Sequence, residues 1–188
     1  SGEEYTDWAS FEAYCKAHPG EIVAGIQNGG QAHMLQAILQ NQAGIECQMV
    51  EAGSSTDKIT GILGGYIDVA FVSSQTGAGY TESGELIALM TTTAQKSIYS
   101  DQWPTSAELG YPDVTVLTKT QLFGPKGMDE ELKAAINTAL TGAADDKDVQ
   151  EQLEKLVLTA PYGTVEDAVE GARQSDELLK TGYELIAQ

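Results

Sequence analysis

Histidine and cysteine are almost absent: His18, His33, Cys15 and Cys47 are the whole supply in 188 residues. A His-rich metal centre cannot be built from that set, and the two cysteines match no zinc or redox spacing. They read as buried thiols acting as small hydrophobes, a disulfide being the other arrangement open to them. Positive charge is scarce too. Ten Lys plus Arg stand against 28 Asp plus Glu, a net charge of −18, which disfavours nucleic acid and anionic membrane surfaces as partners. That field leaves an anionic ligand open, because local amides and one or two cations outweigh distant charge. No stretch approaches the roughly 18 apolar residues of a spanning helix, and no signal peptide opens the chain. Ser1-Gly2 has the composition of an engineered junction, so the missing leader carries no information on compartment. A Gly-x-Ser-x-Gly elbow is also missing, and neither histidine follows a plausible nucleophile and acid in chain order, which disfavours a small α/β hydrolase. No catalytic residue, cofactor or metal ligand is assigned.

What is present is a hydrophobic fraction of 41%, ample for a core in one large domain or two small ones. Phe11, Tyr14 and Cys15 share a face of a first helix capped at Ser10 and closed by Pro19-Gly20. A strand is predicted at Ile22 to Ile26. A helix follows from Gln31 to about Gln42, with Met34, Leu35, Ile38 and Leu39 at helical spacing and Gly44 at the left-handed end position. A second strand at Glu46 to Val50 leads to a helix capped by Ser54, Ser55 or Thr56. Its inner face is Ile59, Ile62 and Leu63, and Gly64-Gly65 stops it. Asp68 to Val72 reads as a third strand and Leu86 to Thr91 as another. Asp68 should cap or turn the chain at its strand start. Strands alternating with helices predict a parallel or mostly parallel sheet flanked by helices over Ile22 to Leu89, with right-handed crossovers. Beyond it, Thr105 is placed to cap a brief helix ending at Gly110, and Val114 to Phe123 looks extended. Helices then occupy Asp129 to Leu140, Lys147 to Leu156, and Thr164 towards Ala187, the last weakened or bent by Gly171 and Gly182. Trp8 and Trp103 read as packing anchors.

Ligands of such sheets sit beyond the carboxyl ends of the strands. Those ends are Gln27-Asn28-Gly29-Gly30, Glu51-Ala52-Gly53-Ser54-Ser55 and Ser73-Ser74-Gln75-Thr76-Gly77, all small, polar and glycine-bearing. The glycines of the first loop let backbone approach a ligand, and the helix start at Gln31 offers free N–H groups and a positive dipole end to a carboxylate or phosphate. His33, in the first turn, could hydrogen-bond a ligand or serve as a surface residue. Candidate ligand-binding residues are therefore Gln27, Asn28, Gly29, Gly30, Gln31, His33, Ser54, Ser73, Ser74 and Gln75.

The order of several motifs resembles a specific family. Trp8 through Gly20, then Gly29-Gly30-Gln31-Ala32-His33, then Ala43-Gly44-Ile45, resemble the tripartite tricarboxylate transporter receptors, also called Bug solute-binding proteins. Ile62-Leu63-Gly64-Gly65-Tyr66-Ile67-Asp68-Val69-Ala70-Phe71 is similar to the family's LLGGQVDVMF. Trp103-Pro104-Thr105-Ser106-Ala107-Glu108-Leu109-Gly110 is similar to its VPTxAEAG, and Leu122-Phe123-Gly124-Pro125-Lys126-Gly127 to its LFAPAG. The collinear series runs from about Asp7 to the C-terminus.

The resemblance implies a type II periplasmic-binding-protein-like fold, an α/β lobe with a parallel or mixed sheet flanked by helices plus a helical C-terminal segment. We place the ligand-binding lobe at residues 1–121 and the helical return segment at 122–188. The implied function is that of an extracytoplasmic, non-enzymatic receptor, periplasmic or lipid-anchored, that closes over a small carboxylated solute and hands it to membrane permease subunits. The alternative is a ligand-sensing module for a signalling partner, which genomic neighbourhood would separate. The loop Gln27 to His33 matches the family's ligand-facing second-lobe loop, and Ser73-Ser74-Gln75 a further segment lining the cleft. Two departures bear on ligand choice. Val50-Glu51-Ala52-Gly53-Ser54 stands where the family has VPYKG, losing an aromatic and a cation and gaining an acid, and Lys119 stands where an aromatic is common. Family members also carry about one domain's worth of sequence before the position of Tyr5. The expectation is a second lobe plus return segment that alone binds carboxylates weakly or not at all and folds its C-terminal segment back or pairs it with a second copy.

Overall fold

The computed structural model describes residues 5–93, 102–115, 121–155 and 163–186. Helix α1 (Trp8–Ala17) starts earlier than the sequence suggests. Asp7 is its N-cap and Ser10 lies three residues in, where the two close a reciprocal capping box: the Ser10 N–H donates to Asp7 Oδ1 at 2.8 Å and the Asp7 N–H to Ser10 Oγ at 3.2 Å. Strand β1 (Val23–Ile26), helix α2 (Gln31–Ala43), strand β2 (Gln48–Glu51), helix α3 (Ser55–Leu63) and strand β3 (Val69–Ala70) follow. Gly44 ends α2 in the left-handed conformation, at φ 61° and ψ 40°.

The strands form a parallel sheet of order β2-β1-β3. Val23 pairs with Gln48 and Ile26 with Glu51 on one side, Ala24 with Val69 and Gly25 with Ala70 on the other. Asp68 does more than turn the chain. Its N–H donates to Val23 O at 2.8 Å and its Oδ2 accepts the Val23 N–H at 2.9 Å, which ties β3 to the start of β1. Gly25 is required in the central strand, because a Cβ there would lie 2.5 Å from Ile67 Cδ1 and 3.2 Å from Ala52 Cβ.

Four sequence expectations need correction. Ser73 is the N-cap of a helix, α4 (Ser74–Glu82), where the sequence showed a loop; Gly77 and Gly79 lower its intrinsic propensity, and Gly77 is buried, a Cβ there coming into ordinary contact with Val72 Cγ2 at 3.4 Å. The run Leu86 to Thr91 finds no partner strand among the described residues beyond a single bridge from Thr91 to Thr105. The helix expected after Thr105 is a sequence of turns, although Thr105 does cap it: its Oγ1 accepts the Glu108 N–H at 3.1 Å and Glu108 Oε2 accepts the Thr105 N–H at 2.8 Å. In α3 the buried stripe is rotated, with Lys58 and Ile59 inside and Leu63 exposed. Most of the extended run expected at Val114 to Phe123, and Lys119 with it, lies outside the described residues.

The chain divides into two compact units, Ser1–Val116 with Glu177–Gln188, and Leu117–Asp176. The first holds the core. Trp8, Phe11 and Cys15 of α1 pack with Ala24 of β1, with Leu35, Ile38 and Leu39 of α2, and with Tyr111 and Val114. Each fully buried Phe, Leu or Ile there contributes about 1.5–3 kcal/mol. Trp8 meets Tyr111 edge-on at 5.4 Å, which makes it the packing anchor its sequence position suggests, while Trp103 is half-buried. Cys15 and Cys47 are both buried free thiols; burial pushes Cys15 up and Cys47 to about 12. The second unit comprises α5 (Glu130–Ala144), α6 (Lys147–Lys155) and the first part of α7 (Val165–Ile186), and α5 has no buried residue. Helix α7 continues unbroken through Gly171 and Gly182.

Candidate functional site

With order β2-β1-β3, the chain crosses from one flank of β1 to the other between β2 and β3, which makes the carboxyl edge of β1 and β3 the topological switch point. Three segments meet at this edge: the loop Gln27–Gly30 after β1, the turn Ala52–Ser54 after β2, and Ser73 with the first turn of α4 after β3. The Ser73 N–H donates to Ser55 Oγ at 3.2 Å and joins the last two. Ser54 is the N-cap of α3 in a capping box with Asp57, so its hydroxyl is engaged: Ser54 Oγ donates to Asp57 Oδ2 at 2.6 Å. Ser74 and Gln75 are the first two residues of α4.

The first loop carries the most specific geometry. Gly29 sits at φ +68°, which only glycine adopts without strain. Its N–H donates to His33 Nδ1 at 3.3 Å, and the Gly30 N–H returns to Gln27 O at 2.8 Å. The Tyr183 hydroxyl of α7 donates to Gly29 O at 3.3 Å. The amides of Gly29 and Gly30 are therefore used within the protein. Gly30 is the N-cap of α2 but supplies no side-chain cap, so the anion-seeking part of this helix start is the pair after it, Gln31 and Ala32.

Two side chains of the edge lie outside the residues assigned to the site from sequence, although the acid gained at Glu51 is among the departures that bear on ligand choice. The first is Lys58, only 3% exposed, whose Nζ donates to Phe71 O at 3.3 Å. Burial pushes its pKa down, and the Glu51 charge opposes this. A lysine beside Ile59 on the inner face of a short helix is the signal that could have found it. The second is Glu51, the last residue of β2. Its Oε2 accepts the Asn28 N–H at 2.6 Å and its Oε1 the Gly53 N–H at 2.9 Å. These two amides, Asn28 first, hold the Glu51 carboxyl below its usual range, helped by Lys58 and His33.

The edge thus has an uncapped helix start, a buried cation and a carboxylate held by amides of two loops. Groups of this kind can offer polar and charged contacts to a small solute. Among the described residues no group of three His, Cys, Asp or Glu could hold a metal ion, and no helix is long and apolar enough to cross a membrane.

Residues 5–181 match the tripartite tricarboxylate transporter family receptor. Protein BugT of Bordetella pertussis is 30% identical over 140 residues, which cover 74% of this chain and 43% of BugT. Adipate-bound Rpa4515 of R. palustris superposes with a TM-score of 0.74 at 21% identity, over 97% of this chain and 62% of that one. Malate-bound MatC from Rhodopseudomonas palustris gives a TM-score of 0.71 at 19% identity, over 94% and 62%. The chain spans about half the length of BugT and about three-fifths of these two structures. The α/β architecture is shared with these two structures, and the chain belongs to the tripartite tricarboxylate transporter receptor family.

Proposed function

We propose that this chain supplies the ligand-facing α/β lobe, residues 1–121, and the return segment, residues 122–188, of an extracytoplasmic receptor for a small carboxylated solute. The receptor delivers its cargo to the membrane permease subunits of a tripartite tricarboxylate-type transporter. The observation that carries this reading is the carboxyl edge itself, where the uncapped start of α2 and the buried Lys58 both favour negative charge. In this reading the solute is held by groups drawn from Gln27, Asn28, Gly29, Gly30, Gln31 and His33 after β1, Ser54 after β2, and Ser73, Ser74 and Gln75 after β3. The adipate and malate in the structural relatives supply the ligand class. Binding works by closure: a solute that touches more of the protein in the closed state shifts the population towards it.

The test is an NMR titration of the 15N-labelled chain with malate and adipate. The expected result is saturable movement of the Gln31 and Ala32 amides, lost in Gly30→Val, where a Cβ would meet Gln27 O at 3.0 Å. Carboxylates that leave these amides still, or that act equally on the variant, would overturn the assignment.

A further inference from the structure

Glu51 is placed where a solute carboxylate would be expected. It ends the edge strand opposite Ile26, and its two oxygens take the N–H groups of Asn28 and Gly53, one from each of the loops that follow β1 and β2. An ionised carboxylate has about four acceptor positions, and these bonds use two of them. Because the side chain is exposed, the remaining positions face solvent at the mouth of the edge.

We propose that the Glu51 carboxylate is a built-in occupant of this amide pair and sets the ligand class of the receptor: a solute bearing both a carboxylate and an ammonium group, in preference to a dicarboxylate. The inference rests on the receptor reading above. A second solute carboxylate brought to these amides would find both donors taken and a like charge in place. An ammonium group meets the reverse situation, a charged acceptor whose spare lone pairs point outward. The solute's single carboxylate is left for the Gln31 and Ala32 amides at the start of α2, with Lys58 buried behind the edge. The chain therefore has one anion-seeking pole and one cation-seeking pole, the second made by a side chain.

The experiment compares adipate with 6-aminohexanoate, which exchanges one carboxylate for an ammonium on a six-carbon chain, by amide-shift titration of the full 188-residue chain. The native chain is expected to bind 6-aminohexanoate about tenfold more tightly than adipate. Glu51→Gln should erase that preference and bring adipate onto the Asn28 and Gly53 amides. A native preference for adipate, or a ratio that survives Glu51→Gln while both probes bind, would overturn the role of Glu51 and leave the receptor reading standing. If neither probe moves the Gln31 and Ala32 amides in either protein, the receptor assignment of this edge falls, and this inference with it.

A ligand-free measurement guards against a poor choice of probe. The Asn28 and Gly53 amide shifts of the native chain should move together as Glu51 titrates on acidification, and Glu51→Gln should lose that movement. His33, Lys58 and Asp57 are the other charged or titratable groups facing this turn. All three remain in the variant, so any movement that survives there belongs to them. Independent or absent movement of the two amides in the native chain would show that the carboxylate does not bridge the loops in solution.

Discussion

At the scale of the residue, Lys58 shows what burying a cation costs. Its side chain is 3% exposed and, among the described residues, its Nζ donates to one carbonyl, that of Phe71, at 3.3 Å, so burial takes it from water against that single bond. The folded protein therefore binds the Lys58 proton less tightly than the unfolded chain, whose lysine titrates near 10.5. Between the lowered folded value and 10.5 the unfolded state carries more protons, and the Lys58 contribution to stability rises with pH. Below that window the penalty is present in full. Lys58→Met, which keeps the apolar stem, should raise stability at neutral pH by about 1 kcal/mol and weaken carboxylate binding. Urea denaturation of both proteins across the alkaline range is the check: the gap should narrow as pH approaches 10.5. A variant less stable than the native chain at neutral pH would mean that Lys58 holds a structural charge pair.

At the scale of the element, α7 is instructive. Its sequence suggested a helix weakened or bent by Gly171 and Gly182; Val165–Ile186 is one continuous helix, and Gly182 serves packing. A Cβ at Gly182 would lie 2.6 Å from Met34 Cβ and 3.3 Å from its Cα, so the final turns of α7 sit directly on α2. One residue on, Tyr183 reaches the Gly29 carbonyl of the loop after β1. Gly182→Val should force these turns off α2, costing about 1–3 kcal/mol by overcrowding and releasing the Tyr183 hydrogen bond. Hydrogen exchange is the check: the Gly29 and Gly30 amides should exchange faster, while those of β1 keep their protection. Unchanged exchange in the loop would show that α7 does not support it.

At the scale of the whole molecule, apolar burial is unevenly shared. The core cluster is drawn from the unit Ser1–Val116 with Glu177–Gln188. In the unit Leu117–Asp176, Leu122 is 70% exposed, Phe123 80% and Val169 67%. Large exposed apolar surface is unusual on a monomer, and helices without buried contacts open easily. Amides of α5 are expected to exchange by local opening, far faster than those of β1 and α2. Light scattering should show concentration-dependent association that a Phe123→Ser, Val169→Ser double variant abolishes. A strict monomer with equal protection in both units would contradict this account.

The alternation of β1, α2, β2 and α3 and the left-handed end of α2 at Gly44 were legible in the sequence, because each depends on residues a few positions apart: the period of apolar side chains, a capping hydroxyl, a glycine where the chain must turn. Collinear motifs made the family legible as well. What tertiary structure alone decided are contacts between distant positions. Glu51 takes the Asn28 amide across 23 residues, and Tyr183 reaches Gly29 across 154. Lys58 meets the carbonyl of Phe71, 13 residues on, because the chain leaving β3 passes beside α3, and α4 forms in spite of the two glycines that hid it. Local propensity cannot encode which amide a carboxylate will claim or which lysine the sheet will cover, since both follow from the order in which strands are laid side by side.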